Sequence, residues 1–304
     1  MIDLTQLPPP DVIEALDFET LFQNRKARLL AAAPAELCAG LAAALQLDSE
    51  PLTMLLQEFA YSELLQRQRI NEAARASLLA YAAGADLDNR AADYGVQRLL
   101  LQPADPDTVP PTPAVWEEDP ALRRRCQMAL EGLSVAGPAG AYKFHALSAS
   151  GQVLDASVEG PNSPLPMPPE PGTVRVFVMD RRGDGVPDAA LQAAVAAELN
   201  DEAVRPICDT VEVWPAEPLA FAVEAAIEWE PGGKSASGGL EGARLRLVSL
   251  LESRRRLGAA VARSAIDAAL HVAGVRRVQL TAPAADVLCS LRQFPKAEEI
   301  TLHD

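Results

Sequence analysis

Apolar residues in the first hundred positions recur at helical spacing, whereas beyond position 150 they increasingly alternate with polar ones, so the chain changes character along its length. After an extended arm, Leu7-Pro8-Pro9-Pro10, Asp11 can cap a helix carrying Ile13 and Leu16, with Leu21 and Phe22 further on. Pro34 interrupts, and Leu37, Leu41 and Leu45 mark a short helix. Asp48-Ser49-Glu50-Pro51 is a strong start signal: a capping side chain, an acid at the positive helix end and proline in the first turn. From Leu52, the residues Leu55, Leu56, Phe59 and Leu64 keep helical spacing and the pattern runs on to Ala83, where Gly84 supplies a left-handed stop. A helix of about 30 residues is ~45 Å long, more than a small domain covers by itself. Another helix begins near Asp86 or Asp88.

The Pro-rich segment Pro103 to Pro113 cannot be the interior of a regular element and reads as a semi-rigid linker. Asp119-Pro120 begins a helix that ends at Gly132, and Gly137 to Gly140 turns into a helix from Ala141 to about Ser150. Strands follow at Val153 to Val158 and Thr173 to Met179, separated by the loop Pro161 to Gly172. Pro187-Asp188 opens a helix with Leu191, Val195 and Leu199 at spacing of four, and Thr210 to Trp214 is a further strand. Ala220 to Trp229 alternates cleanly, with Phe221, Val223, Ala225, Ile227 and Trp229 on one face and Glu224 and Glu228 on the other. Helices at Leu240 to Arg256 and Arg263 to Val272 and a strand at Val275 to Leu280 complete the pattern.

This gives an α+β chain: a helical N-terminal region with a long helix, followed by two small α+β modules. The expected divisions are 1–102, a helical arm and long-helix region; 103–150, a Pro-rich linker and helical connector; 151–217 and 218–282, the two modules; and 283–304, a C-terminal tail.

With 304 residues the chain is long enough for two or three domains. Its 49% hydrophobic and 23% charged residues are ordinary for a soluble globular protein. A net charge of -15 argues against nucleic acid as a partner, because phosphate neutralisation needs a basic face. Arg123 to Arg125 and Arg254 to Arg256 read as the polar faces of helices. Cys38, Cys126, Cys208 and Cys289 form no C-x-x-C pair and read as small hydrophobes in a reducing compartment. The start lacks a secretory signal pattern, and no window reaches the ~18 apolar residues of a membrane span. The expected origin is a cytoplasmic soluble protein.

Candidate chemistry mostly fails. His145, His271 and His303 have no carboxylate or cysteine at ligand spacing, so no metal site is assigned. Asp180 to Gly185 has too few alternating oxygen ligands for a calcium loop and reads as a turn. Gly137-Pro138-Ala139-Gly140 and Gly232-Gly233 are neither a dinucleotide fingerprint nor a P-loop, so no cofactor is assigned. Ser134 and Ser148 lack a G-x-S-x-G elbow, and Glu117-Glu118 and Glu298-Glu299 are expected to face water from helices. No catalytic residue emerges, and a hydrolase assembled from distant residues has no positive sign. What remains is the long helix, whose polar residues are either a solvated face or an interface. Arg69, Asn71, Glu72 and Arg75 are the expected partner-contact residues, touching partner chains or an adjoining domain.

The run Arg67-Gln68-Arg69-Ile70-Asn71-Glu72-Ala73-Ala74-Arg75-Ala76 resembles the baseplate J-like proteins of P2-like contractile phage tails. So do Ile2-Asp3-Leu4-Thr5-Gln6-Leu7-Pro8, Asp17-Phe18-Glu19, Ser49-Glu50-Pro51-Leu52, Pro110 to Val115, Glu131 to Gly137, Gly140-Ala141-Tyr142, Arg256-Leu257-Gly258 and Ala268 to Val275. These matches keep their order from end to end. The Pro161 to Pro171 stretch and the end from Leu288 depart from the family pattern. The resemblance implies a structural wedge subunit of a contractile phage tail or phage-tail-like bacteriocin, not an enzyme. It implies assembly with a second wedge protein and another copy of itself through a helical bundle, around the central spike, with sheath and tail-fibre proteins as further neighbours. The bundle role would fall to Leu52 to Ala83 and ring-closing contacts to the C-terminal modules. Expected localisation is the bacterial cytoplasm during assembly, then the baseplate of the released particle. A tail-associated hydrolase and a host-surface-binding module are the alternatives; the low aromatic content, 5%, disfavours the latter.

Overall fold

The computed structural model describes residues 4–8, 10–164 and 166–304. Ile2, Asp3, Pro9 of the expected arm and Leu165 of the second Pro-rich stretch lie outside the described residues. Two compact units divide the chain, Met1–Gln97 and Arg98–Asp304.

The first unit is helical. Helix α1 spans Phe18–Ala32 and is capped by Asp17, whose carboxylate accepts from the Thr20 amide at 2.7 Å. The expected cap at Asp11 therefore moves to Asp17, and Ile13 and Leu16 lie in non-helical chain ahead of it. Helix α2 covers Ala35–Ala44, and α3 covers Pro51–Ala76 with its proline in the first turn. At 26 residues, α3 is about 39 Å long. It stops before the expected Ala83: the Ser77 hydroxyl donates to the Ala74 carbonyl at 2.7 Å and turns fill the stretch to Ala83. Gly84 is left-handed, at φ 54°, but opens α4, Gly84–Ala92, instead of closing α3. The core beneath α3 is small, formed by Phe22, Leu45, Leu56 and Ala60.

The second unit opens with a hairpin, β1 at Leu100–Gln102 paired with β2 at Val115–Trp116. The Pro-rich segment is its loop and not an extended linker: the Asp105 and Thr112 backbones exchange hydrogen bonds of 2.9 Å in both directions. Residues 98–102 accordingly belong to the second unit and not to the helical first one. Helices α5, Asp119–Gly132, and α6, Ala139–Ala149, lead into β3, Val153–Glu159, and β4, Thr173–Asp180. Helix α7, Ala189–Leu199, then crosses to β5, Thr210–Pro215. The strand order is β3-β4-β5, antiparallel then parallel, and Tyr142, Leu147, Leu191, Val195 and Leu199 cover one face.

The second sheet is built around β6, Glu217–Trp229, whose alternation buries Val223, Ala225 and Ile227. A short helix α8, Gly233–Ala236, precedes α9, Gly239–Ser253; β7, Ala260–Val261, and α10, Arg263–Leu270, follow. Strand β8, Val275–Ala282, lies antiparallel to β6, and β9, Val287–Leu288, pairs with β7. The expected C-terminal tail instead supplies β10, Gln293–His303, running parallel along the other edge of β6. Its register shifts between Ala297 and Glu299, which breaks the alternation that would have marked it.

Alternate residues of β3 bond to turns that flank β7 and β10. The Asp155 carboxylate accepts from the Leu257 amide at 3.2 Å, the Ser157 hydroxyl donates to the Leu291 carbonyl, and Glu159 takes both arms of Arg292 at 2.8 and 2.9 Å. All three β3 side chains are buried, on the face opposite α6 and α7.

Candidate partner interface

The physics of α3 assigns its two sides differently. Thr53, Leu56, Ala60 and Asn71 are buried on one side. Met54, Tyr61, Leu65 and Glu72, separated by seven, four and seven residues, share an outward stripe. Leu55, Phe59 and Ile70 are also exposed, Ile70 by 60%, but lie on a separate strip about 100–160° further round the helix. Of the apolar positions whose spacing announced the helix, only Leu56 is fully buried; Leu55 and Phe59 face outward and Leu64 is half-buried. So many large apolar side chains on one small helical unit exceed the singly scattered exposure that needs no explanation.

The four expected contact residues do not share a side. Arg69, Glu72 and Arg75 are exposed and continue the outward sector, with Arg69 bonded to Glu72 at 3.4 Å. Together with Tyr81, Ala82 and Asp86 they border a concavity of about 530 Å³ at the end of α3. Asn71 is the exception. It is buried, with its Oδ1 accepting from the Glu14 amide and its Nδ2 donating to the Glu14 carbonyl. Around that clasp Arg67 reaches Glu14 at 2.6 Å and Glu63 at 3.0 Å, and Arg25 reaches Glu63 at 2.6 Å. Arg25, first among its partners, holds the Glu63 carboxyl below the usual carboxylate range, and Glu14 holds the Arg67 guanidinium above its own. No sequence signal joined Tyr81 and Asp86 to these residues, because only the tight turn after Ala76 brings them to α3.

Elsewhere several titratable groups are paired within the fold or lie in it. Glu117 is buried, not water-facing, and holds Arg125 at 3.0 and 2.6 Å. Glu298 and Glu299 lie on β10, not on a helix. His145 Nδ1 lies 3.6 Å from Glu198, and His271 caps the end of α10. Tyr142 donates to Asp209 at 2.6 Å, and burial pushes its phenol well above the ordinary range. The thiol of buried Cys126 is pushed up to about 11 by burial, whereas Cys208 is exposed. Among the described residues no three metal-ligating side chains are grouped to hold an ion, and no helix is long and apolar enough to cross a membrane.

The class of the chain is defined by two matches: residues 48–105 fit the baseplate J-like N-terminal domain, and residues 134–215 the baseplate J-like central domain. The chain belongs to the baseplate J-like family of phage tail structural proteins. Among its relatives, baseplate protein J of Escherichia phage P2 is 46% identical over 297 residues, which cover 96% of this chain and 94% of that protein. The first matched region contains both α3 and α4.

Proposed function

We propose that this chain is a wedge subunit of the baseplate of a contractile phage tail or phage-tail-like bacteriocin, with a structural and not an enzymatic role. In this reading the outward face of α3 packs in a helical bundle against a second copy of the chain and a second wedge protein. The observation that carries it is the number of large apolar side chains exposed over the outward half of α3, Met54, Leu55, Phe59, Tyr61, Leu65 and Ile70, on a unit whose own core is small. Arg69, Glu72 and Arg75 form the polar end of that interface, where charge complementarity fixes partner and register. Asn71 contributes indirectly, by holding the chain around Glu14 against the other side of the helix.

The same reading puts the second unit in contact with neighbouring wedges, spike, sheath and fibre components, and has the assembled ring rearrange when the sheath contracts. Assembly takes place in the bacterial cytoplasm and the product resides in the tail baseplate. Co-expression with the adjacent tail proteins followed by size exclusion tests this. A stable complex containing two copies of the chain and one of the second wedge protein is expected, and elution of the chain alone would refute it.

A further inference from the structure

Between the start of α5, the beginning of β3 and the loop after α9 lies a cavity of about 170 Å³, bordered by Glu117, Glu118, Arg124, Arg125, Arg181 and Arg256. Its volume is below the range of nucleotide and drug-sized pockets and suits a single small group. Two of its guanidinium groups are already paired, Arg125 with Glu117 and Arg124 with Asp155 at 2.9 Å. Lys143 shares Asp155 at 3.0 Å. Arg181 donates through Nε to the Gly151 carbonyl at 3.1 Å, and neither it nor Arg256 has a carboxylate within ion-pair distance among the described residues. The border of the cavity thus carries four guanidinium groups and two carboxylates. Burial, and then Arg124, press the Arg256 guanidinium below its ordinary value, with Asp155 acting against them.

A surplus of guanidinium groups around a small space is chemistry for an oxyanion, since their forked N–H pairs match carboxylate or phosphate oxygens. We propose that this cavity is an oxyanion socket that receives one carboxylate from an acidic side chain of a neighbouring baseplate chain, a role that rests on the wedge reading above. The chain's net charge of -15 weakens, without abolishing, the capture of freely diffusing anions. A carboxylate delivered by an assembling neighbour arrives at high effective concentration and is not subject to that limit.

Inorganic phosphate is the probe, titrated into the full chain at low ionic strength and followed by phosphorus NMR line broadening. Wild type should bind, and Arg181→Gln and Arg256→Gln should each weaken binding roughly tenfold, the loss of one charge-assisted hydrogen bond. Arg276→Gln, on exposed β8, should leave it unchanged. Melting curves separate binding from folding: Arg256→Gln should melt no lower than wild type, because it removes repulsion from Arg124. In the second arm, Arg181→Glu and Arg256→Glu are each co-expressed with the adjacent tail proteins and should reduce recovery of the complex.

Absence of phosphate binding by the wild type would overturn the socket. Binding combined with full assembly of both charge-reversal variants would show that the socket takes free anions, overturning the neighbouring-chain source. Failure of the wild type itself to assemble would instead refute the wedge reading, and with it that source, while the phosphate arm still decides the socket.

Discussion

The Asn71 side-chain amide forms two hydrogen bonds with the backbone of Glu14, accepting from its N–H at 3.0 Å and donating to its carbonyl at 2.9 Å. A primary amide thereby takes the place of a strand neighbour for one residue of non-helical chain. Asn71 is buried, so its replacement leaves a hole as well as two unpaired backbone groups. Asn71→Ala is expected to destabilise the first unit by about 1–2 kcal/mol. It should also hasten proteolysis ahead of Phe18. Asn71→Asp keeps the acceptor but sets a buried carboxylate against the Glu14 carbonyl oxygen, and should destabilise at least as much. Denaturant unfolding and timed proteolysis read both effects; equal protection in all three proteins would contradict the clasp.

Asp155 should dominate the acid sensitivity of the second unit. Burial raises its pKa, but Lys143 and Arg124 outweigh burial and hold it below the ordinary 3.8. A carboxyl depressed in the folded state contributes stability that is present above its unfolded pKa and lost as pH falls through the folded one. Unfolding free energy should therefore decline as pH drops below about 4. Asp155→Asn should be less stable at neutral pH by about 3 kcal/mol, because it strands two cations, and should show a shallower acid decline. Urea titrations from pH 2 to 7 would reveal it; parallel curves for the two proteins would contradict the assignment.

Much of the architecture was legible in the sequence, and the exceptions have physical causes. The start of α3 was announced by Glu50-Pro51, but its end was not: the residues from Ala76 to Ala83 include no breaker, and the stop comes from the Ser77 hydroxyl turning back on Ala74. Period-two polarity at Asp155, Ser157 and Glu159 reads as a solvent face; only the turns at Leu257 and Leu291, more than a hundred residues away in sequence, make it a buried seam. The strand β10 was hidden by Pro295, two glutamates and a bulge, the features that protect an edge strand from unwanted pairing. For the candidate interface, chain position singled out Arg69, Glu72 and Arg75, which lie exposed on α3. It could not separate them from Asn71, since both groups are polar and only the packed arm determines which one is covered.

The seam makes its own prediction. Arg292 holds Glu159 with two bonds and stacks over the Phe177 ring at 5.5 Å. Arg292→Ala leaves a fully buried carboxylate without its cation and should destabilise the second unit by about 3 kcal/mol. Arg292→Lys should recover only part of this, because an ammonium cannot bridge both oxygens. Equal stability of the alanine variant and wild type in urea would rule out the seam as a stabilising contact.

Two backbones meet at Gly233 and Gly274. A Cβ on Gly233 would sit 2.1 Å from the Gly274 carbonyl oxygen, and Gly274 itself is left-handed at φ 91°. Gly233→Ala should destabilise by roughly 1–3 kcal/mol through overpacking. Gly160→Ala, with nothing within 4 Å of the added carbon, is the comparison and should be nearly neutral. Similar melting temperatures for the two variants would contradict this packing.

The central claim, that the outward side of α3 is a bundle surface, is tested most directly by site-specific photocrosslinking in the assembled particle. A photoreactive residue replacing exposed Leu65 or Arg69 is predicted to crosslink to a second copy of the chain or to the second wedge protein, whereas one replacing Asn71 should stay within its own chain. Particles that assemble fully, with no intermolecular crosslink from Leu65 or Arg69, would contradict it.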